Sequence, residues 1–184
     1  MENVSTRIFV ISDTHFNHKN IIKYCNRPFK TVEQMDEEMV RRWNSVVGPD
    51  DIVIHCGDFC FGSIVDVTKW RNRLNGHIIL ILGNHDNKRY QYVSKADFDA
   101  AFFHEHMFKG NILFCHSLDW VSAVLLSEAD FVYYGHVHNN DANPITKYHR
   151  NVCVEWTGYK PIDITDNLPL ETYNDIINSI KGNK

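Results

Sequence analysis

Little in this sequence points to a membrane, a secretory route or a polyanionic partner. No stretch approaches the roughly 20 apolar residues that a transmembrane helix needs. The opening MENVSTRIFVISD has no basic region followed by a long apolar run and a small-residue cleavage site, so a cytoplasmic protein is expected. No CxxC pair is present. The five cysteines (Cys25, Cys56, Cys60, Cys115 and Cys153) are odd in number and scattered, which argues against a disulfide framework or a structural zinc site. Cys56 and Cys115 lie inside apolar runs and read as reduced, buried thiols. Basic residues (19) do not outnumber acidic ones (23), and the net charge of -4 argues against a non-specific nucleic-acid binder. A nucleotide or a nucleic-acid end stays open as a substrate. No repeat, low-complexity tract or linker interrupts the chain. With 184 residues, 43% hydrophobic and 12% aromatic, one domain over residues 1–184 with a substantial core is expected.

What the chain does have is a series of short apolar runs that each stop at a polar cluster. Ile8–Ile11 reads as a buried strand feeding a loop at Ser12-Asp13. Thr31 and Gln34 form a capping-box pattern, and Val32, Met35, Met39, Trp43 and Val46 then recur at helical spacing as a core-facing stripe. Residues 52–54 form a second strand ending at Gly57-Asp58. A helix is expected over 64–74, and the apolar strand His77–Leu82 stops at Gly83-Asn84. The runs 103–108 and Ile112–Cys115 flank Gly110-Asn111 as a hairpin. Phe131–Tyr134 and 152–156 read as further strands, and a helix over about 171–180 closes the chain. Early alternation of strand and helix implies a parallel α/β section, followed by a more strand-rich half. In such sheets the ligand crevice lies at the carboxyl ends of the strands, which is where the polar clusters fall.

Those clusters are Asp13-Thr14-His15, Gly57-Asp58, Gly83-Asn84-His85-Asp86, His116 and Gly135-His136-Val137-His138, in a chain with 11 histidines. Residues two apart in an extended segment project to the same side. Asp13 with His15, and His136 with His138, can therefore each offer two ligands to one site. Glycines beside them permit tight turns and close backbone approach. Carboxylate, imidazole and amide oxygen suit Mn, Fe, Zn or Ni, whereas a soft site would need thiolate. His77, His104, His106 and His149 lack such a setting and read as surface or core residues, and His55 reads as structural.

This ordered set resembles the calcineurin-like metallophosphoesterase superfamily over roughly residues 13–138. Its specificity lies in the order of all five motifs. The resemblance implies an α/β fold: a two-sheet β-sandwich flanked by helices, layered αββα. It also implies two divalent transition-metal ions, manganese first, with iron, zinc or nickel as alternatives. Asp13, His15 and His138 would bind one ion, Asn84, His116 and His136 the other, and Asp58 would bridge them. A metal-bridging hydroxide would then attack phosphorus in line. His85 would protonate the leaving oxygen or stabilise its charge. Asp86 would orient His85 or brace the loop.

On the substrate side, His18, Lys19 and Arg27 follow the first motif closely, and Asn84 reaches the same region. Arg27 or Lys19 would hold a phosphate oxygen, unless these are solvated charges around a short helix. Lys88 and Arg89 stand in the same position, and Asn17 is unassigned. The second motif, Gly57-Asp58-Phe59-Cys60-Phe61-Gly62, lacks the added Asp and Arg of the GDxxDRG of protein Ser/Thr phosphatases, and GNHD stands in place of GNHE. These departures argue against a phosphatase of that type. The segments SDTHF and NIIKYCNRPF look like the small bacterial or phage-type phosphoesterases. A short chain leaves little room for a cap, so the expected partner is a small phosphoester or nucleotide-like substrate, without a membrane or a long duplex. Homo-oligomerisation would deepen the cleft. A phosphodiester is the favoured bond. The alternatives are a monoesterase on a small substrate, a nuclease at strand ends, and a non-catalytic protein-binding scaffold.

Overall fold

The apolar runs lack hydrophobic–polar alternation because both of their faces are covered. In the computed structural model, which describes residues 6–87 and 96–181, successive side chains of each run enter different cores. The first sheet contains β1 (Ile8–Ile11), β2 (Ile52–His55), β3 (His77–Leu82), β4 (Ala100–Phe103) and β9 (Ile162–Asp163). Its order is β4-β3-β2-β1-β9, parallel except for β9. The second sheet contains β5 (Glu105–Phe108), β6 (Ile112–Cys115), β7 (Phe131–Tyr134) and β8 (His149–Asn151), in the order β5-β6-β7-β8. Only its β5–β6 pair is antiparallel.

Ile8 and Val10 of β1, Ile52 and Ile54 of β2, and Ile79 and Ile81 of β3 meet Ile112 and Phe114 of β6 and Tyr133 of β7 in one cluster between the sheets. The alternate residues Phe9, Ile11, Val53, Ile78, Leu80 and Leu82 join a second cluster under the helices α1 (Ile21–Tyr24), α2 (Val32–Asn44) and α3 (Ile64–Arg71). Leu113, Cys115, Val132 and Tyr134 face outward from the second sheet, against Leu125 and Leu126 of α5 (Ala123–Glu128). Two helix-flanked mixed sheets are therefore stacked as expected. Among the described residues, the other α-helices are α4 (Asn84–Asn87), α6 (Val154–Thr157) and α7 (Leu170–Lys181), and α7 adds Ile176 to the cluster between the sheets. Among the described residues, no helix is long and apolar enough to cross a membrane.

Local signals were met with some shifts. Thr31 caps α2 by accepting from the Gln34 N–H at 3.2 Å, but the Gln34 side chain accepts from the Lys30 N–H rather than from Thr31. The helix predicted over 64–74 stops at Arg71. The 103–108 run divides at His104, whose φ of 56° turns the chain from β4 in one sheet to β5 in the other. The hairpin is consequently β5–β6 alone. The strand expected over 152–156 is corrected as well. The strand lies earlier, at His149–Asn151, and the apolar run Val152-Cys153-Val154 leads into α6, which ends at left-handed Gly158. Val152 and Cys153 bridge the sheets by pairing with Tyr134 and Ser12, and the helix that follows is set by that crossing rather than by local propensity. Lys88 and Arg89 lie outside the described residues.

Candidate metal centre

The polar clusters gather where strands of both sheets end. Asp13 and His15 follow β1, Asp58 follows β2, Asn84 and His85 follow β3, His116 follows β6, and His136 and His138 follow β7. These loops are not extended. Asp13, His15, Asp58, His136 and His138 all have positive φ, between 49° and 72°. The two pairs of residues do converge, but through left-handed turns rather than through strand alternation.

Asp58 Oδ2 lies at the centre. It is 3.4 Å from His15 Nε2, 3.6 Å from His116 Nε2 and 3.9 Å from His85 Nε2. On one side, Asp13 Oδ1 is 3.7 Å from His15 Nε2 and 3.6 Å from His138 Nε2. On the other, His116 Nε2 is 3.0 Å from Asn84 Oδ1 and 3.2 Å from His136 Nδ1. Donors about 2.1 Å from one ion lie roughly 3–3.4 Å from one another, so this spacing fits shared cations. Two further features support the fit. Asp13 Oδ1 and His15 Nε2 are buried without a hydrogen-bond partner. His116 Nδ1 faces the Cys56 carbonyl at 2.8 Å and donates to it, leaving the Nε2 lone pair turned toward the oxygen of Asn84. Acceptors placed face to face repel unless a cation lies between them.

Braces around the cluster, some of them missed in the sequence, hold this arrangement. Asp86 accepts from the N–H groups of Asp58 (2.6 Å), Phe59 (3.2 Å) and Gly83 (3.1 Å), so it braces the loop rather than orienting His85. Asp58 Oδ1 accepts from the His85 N–H at 2.8 Å, which leaves Oδ2 for the centre. His55 accepts from the Gly57 N–H and donates through Nε2 to Thr14 Oγ1, whose hydroxyl donates to the Phe59 carbonyl. That chain ties the first two motif loops together. Ser12 Oγ and Cys153 Sγ both donate to Asp13 Oδ2. Glu155 reaches His138 Nδ1 at 3.2 Å. Its only sequence signal was an acid inside an apolar run. Trp120, 39% exposed, packs its ring 5.4 Å from that of His116 and 5.2 Å from that of His136.

Burial sets the titration of the cluster. It pushes His15 down to about 3, which makes it a neutral imidazole with a lone pair to offer. Burial, followed by the charges of Asp13 and Asp86, pushes Asp58 up to about 9. Burial also opposes charge on Asp13, but the surrounding histidines, His116 first, hold its carboxyl well below the usual range. An anionic Asp58 in this setting calls for added positive charge.

Two of the proposed substrate contacts reach the centre. Asn84 faces it directly, and the half-buried His18 ring lies 5.3 Å from His15 and 6.0 Å from His85, stacked on Phe61. Arg27 does not, and that expectation is corrected. Its side chain is fully buried, donating to the carbonyls of Asp13 (2.8 Å) and Thr14 (3.0 Å) and to Glu155 (2.8 Å). Lys19 is exposed beside α1, bordering a hollow with Lys23 and Lys30.

Two mixed sheets flanked by helices, with a candidate metal-ligand set at their strand ends, define the class of fold. The calcineurin-like phosphoesterase superfamily domain matches residues 6–152, and the chain belongs to that superfamily. It is 37% identical over 167 residues to an uncharacterised protein, MJ1445, of Methanocaldococcus jannaschii, covering 86% of this chain and 87% of that one. The gene 66 protein of Mycobacterium phage L5 is 38% identical over 78 residues, 41% of this chain and 37% of that protein. Among solved structures, AQ665 of Aquifex aeolicus, a protein of unknown function, aligns with a TM-score of 0.69 at 26% identity, covering 89% of this chain and 98% of that one.

Proposed function

We propose that this protein is a metal-dependent phosphoesterase that uses two divalent ions, manganese first, and prefers a phosphodiester in a small or nucleotide-like substrate. The observation that carries this reading is the position of Asp58 Oδ2, which faces His15 of one group at 3.4 Å and His116 of the other at 3.6 Å. Asp13, His15 and His138 would hold one ion, Asn84, His116 and His136 the other, with Asp58 shared. When bound, such ions polarise water and phosphate oxygens and offset the charge of the ester. The protein itself supplies aim and protons. The N–H of His85 is anchored on Asp58 while its side chain stays 40% exposed, so the ring can meet a substrate and carry a proton to the leaving oxygen at Nε2. Asn84 orients its oxygen toward His116, and the left-handed loops fix the remaining donors. The diester preference is supported by Arg27, which was expected to hold a phosphate oxygen and is instead spent on carbonyls and Glu155.

The test is hydrolysis of bis-p-nitrophenyl phosphate and p-nitrophenyl phosphate by chelator-treated protein with and without Mn²⁺. Metal-restored turnover, faster on the diester, is expected. His85→Ala should keep its metal and lose about 10²–10⁴-fold in turnover. Absence of bound metal would refute the reading, and faster monoester cleavage would overturn the diester preference.

A further inference from the structure

Arg27 and Glu155 form an ion pair across 128 positions of sequence, with side chains 0% and 5% exposed. Burying such a pair is costly, and apolar residues of similar volume commonly serve stability as well or better. Its other contacts give it a use. The guanidinium donates to the carbonyls of Asp13 and Thr14, fixing the main chain that carries Asp13 and His15. The carboxylate accepts from His138 Nδ1–H at 3.2 Å, which turns Nε2 toward Asp13 Oδ1 at 3.6 Å. One device therefore grips Asp13, His15 and His138. Among the described residues, the side-chain hydrogen bonds of the pair run to Asp13, Thr14, Met35 and His138, and not to Asn84, His116 or His136. The two groups also differ in what sets the tautomer. His138 leans on a charged carboxylate, while His116 leans on the neutral carbonyl of Cys56. A carboxylate partner makes an imidazole a better ligand.

We propose that Arg27 and Glu155 are positioning residues for the ion held by Asp13, His15 and His138, strengthening that position and not the other. This rests on the dinuclear reading above. The experiment is a Mn²⁺ titration of chelator-treated wild type, Glu155→Ala, Glu155→Gln and Arg27→Lys, with bound ions counted and the electron paramagnetic resonance spectrum recorded. Wild type is expected to bind two ions with a spin-coupled spectrum. Glu155→Ala should weaken one ion by about 10–100-fold, the range that loss of such a partner produces, and show the six-line signal of a lone Mn²⁺. Glu155→Gln keeps an acceptor for Nδ1–H and should lose less. If Glu155→Ala does not fold, Glu155→Gln and Arg27→Lys make the same comparison. Two ions bound as in wild type, or both weakened equally, would overturn the proposal while leaving the dinuclear reading intact. A wild type that binds no ion would sink both.

Discussion

A side chain aimed from a left-handed residue is held there by its surroundings, because the backbone alone disfavours it by about 1 kcal/mol. Asp13, His15, Asp58, His136 and His138 all carry that cost, so their neighbours must fit closely. Gly135 shows how closely. A Cβ at this position would collide with Ser12 Oγ and Asp13 Oδ2, the pair that orients the first ligand. Gly135→Ala is expected to cost about 1–3 kcal/mol of stability and to displace Asp13. Bound metal, counted after dialysis, should fall by at least one ion while the circular dichroism spectrum is retained. A variant with full metal content would show that the contact yields without consequence. The clustered histidines were legible because His15, His136 and His138 each stand beside a glycine or a second donor, and His116 ends an apolar run. Glu155 was not, since its role depends on His138 and on Arg27, which no local pattern connects to it. Arg27 was misplaced for the same reason: an arginine close after a ligand motif reads as a substrate clamp until the carbonyls it binds are seen.

At the scale of elements, α2 carries one polar residue on its buried face. Asp36 is 1% exposed, accepts from the Asn17 N–H at 3.0 Å through one oxygen, and has no hydrogen-bond partner for the other. Burial pushes its carboxyl up to about 7, against the lowering effects of Asn17, Lys69 and Arg27. A carboxyl raised in the folded state binds its proton more tightly there than in the unfolded chain. Stability from this group is thus fully present below about pH 4, declines as pH rises toward 7, and is flat above. Asp36→Asn should remove the decline. The variant is expected to be more stable than wild type by roughly 1–3 kcal/mol at pH 8, with the difference vanishing near pH 4. Denaturant melts at several pH values would read this, and a difference independent of pH would count against it. The helix itself was legible from its cap and stripe. Strands β1, β2, β3, β6 and β7 were legible because two covered faces leave unbroken apolar runs, whereas the two-residue β9 has no such run and was missed. What failed was local inference at joints: His104 diverts one β-rich run into a second sheet, and Val152-Cys153-Val154 turns into a helix because a crossing between sheets claims its backbone.

For the whole molecule, the proposed ions join what the chain keeps apart. Asp13, His15, Asp58 and Asn84 hang from the first sheet, and His116, His136 and His138 from the second. Ions that bind only the folded form should stabilise it by about 2.7 kcal/mol per site at one hundred times Kd. For a chain of this size that corresponds to a rise in Tm of about 5–10 °C per ion. Thermal melts with Mn²⁺ and with chelator would show it, and identical curves would contradict a structural contribution from the centre.

The division of donors between the sheets also has a consequence in time. Neither sheet alone offers a complete set, and His136 reaches Asp13 only when a segment 123 residues away has docked. The proposed cations would therefore be latecomers to folding. They would not guide the early chain but would act as a latch that delays its opening, so metal should lengthen the life of the native state far more than it hastens its formation.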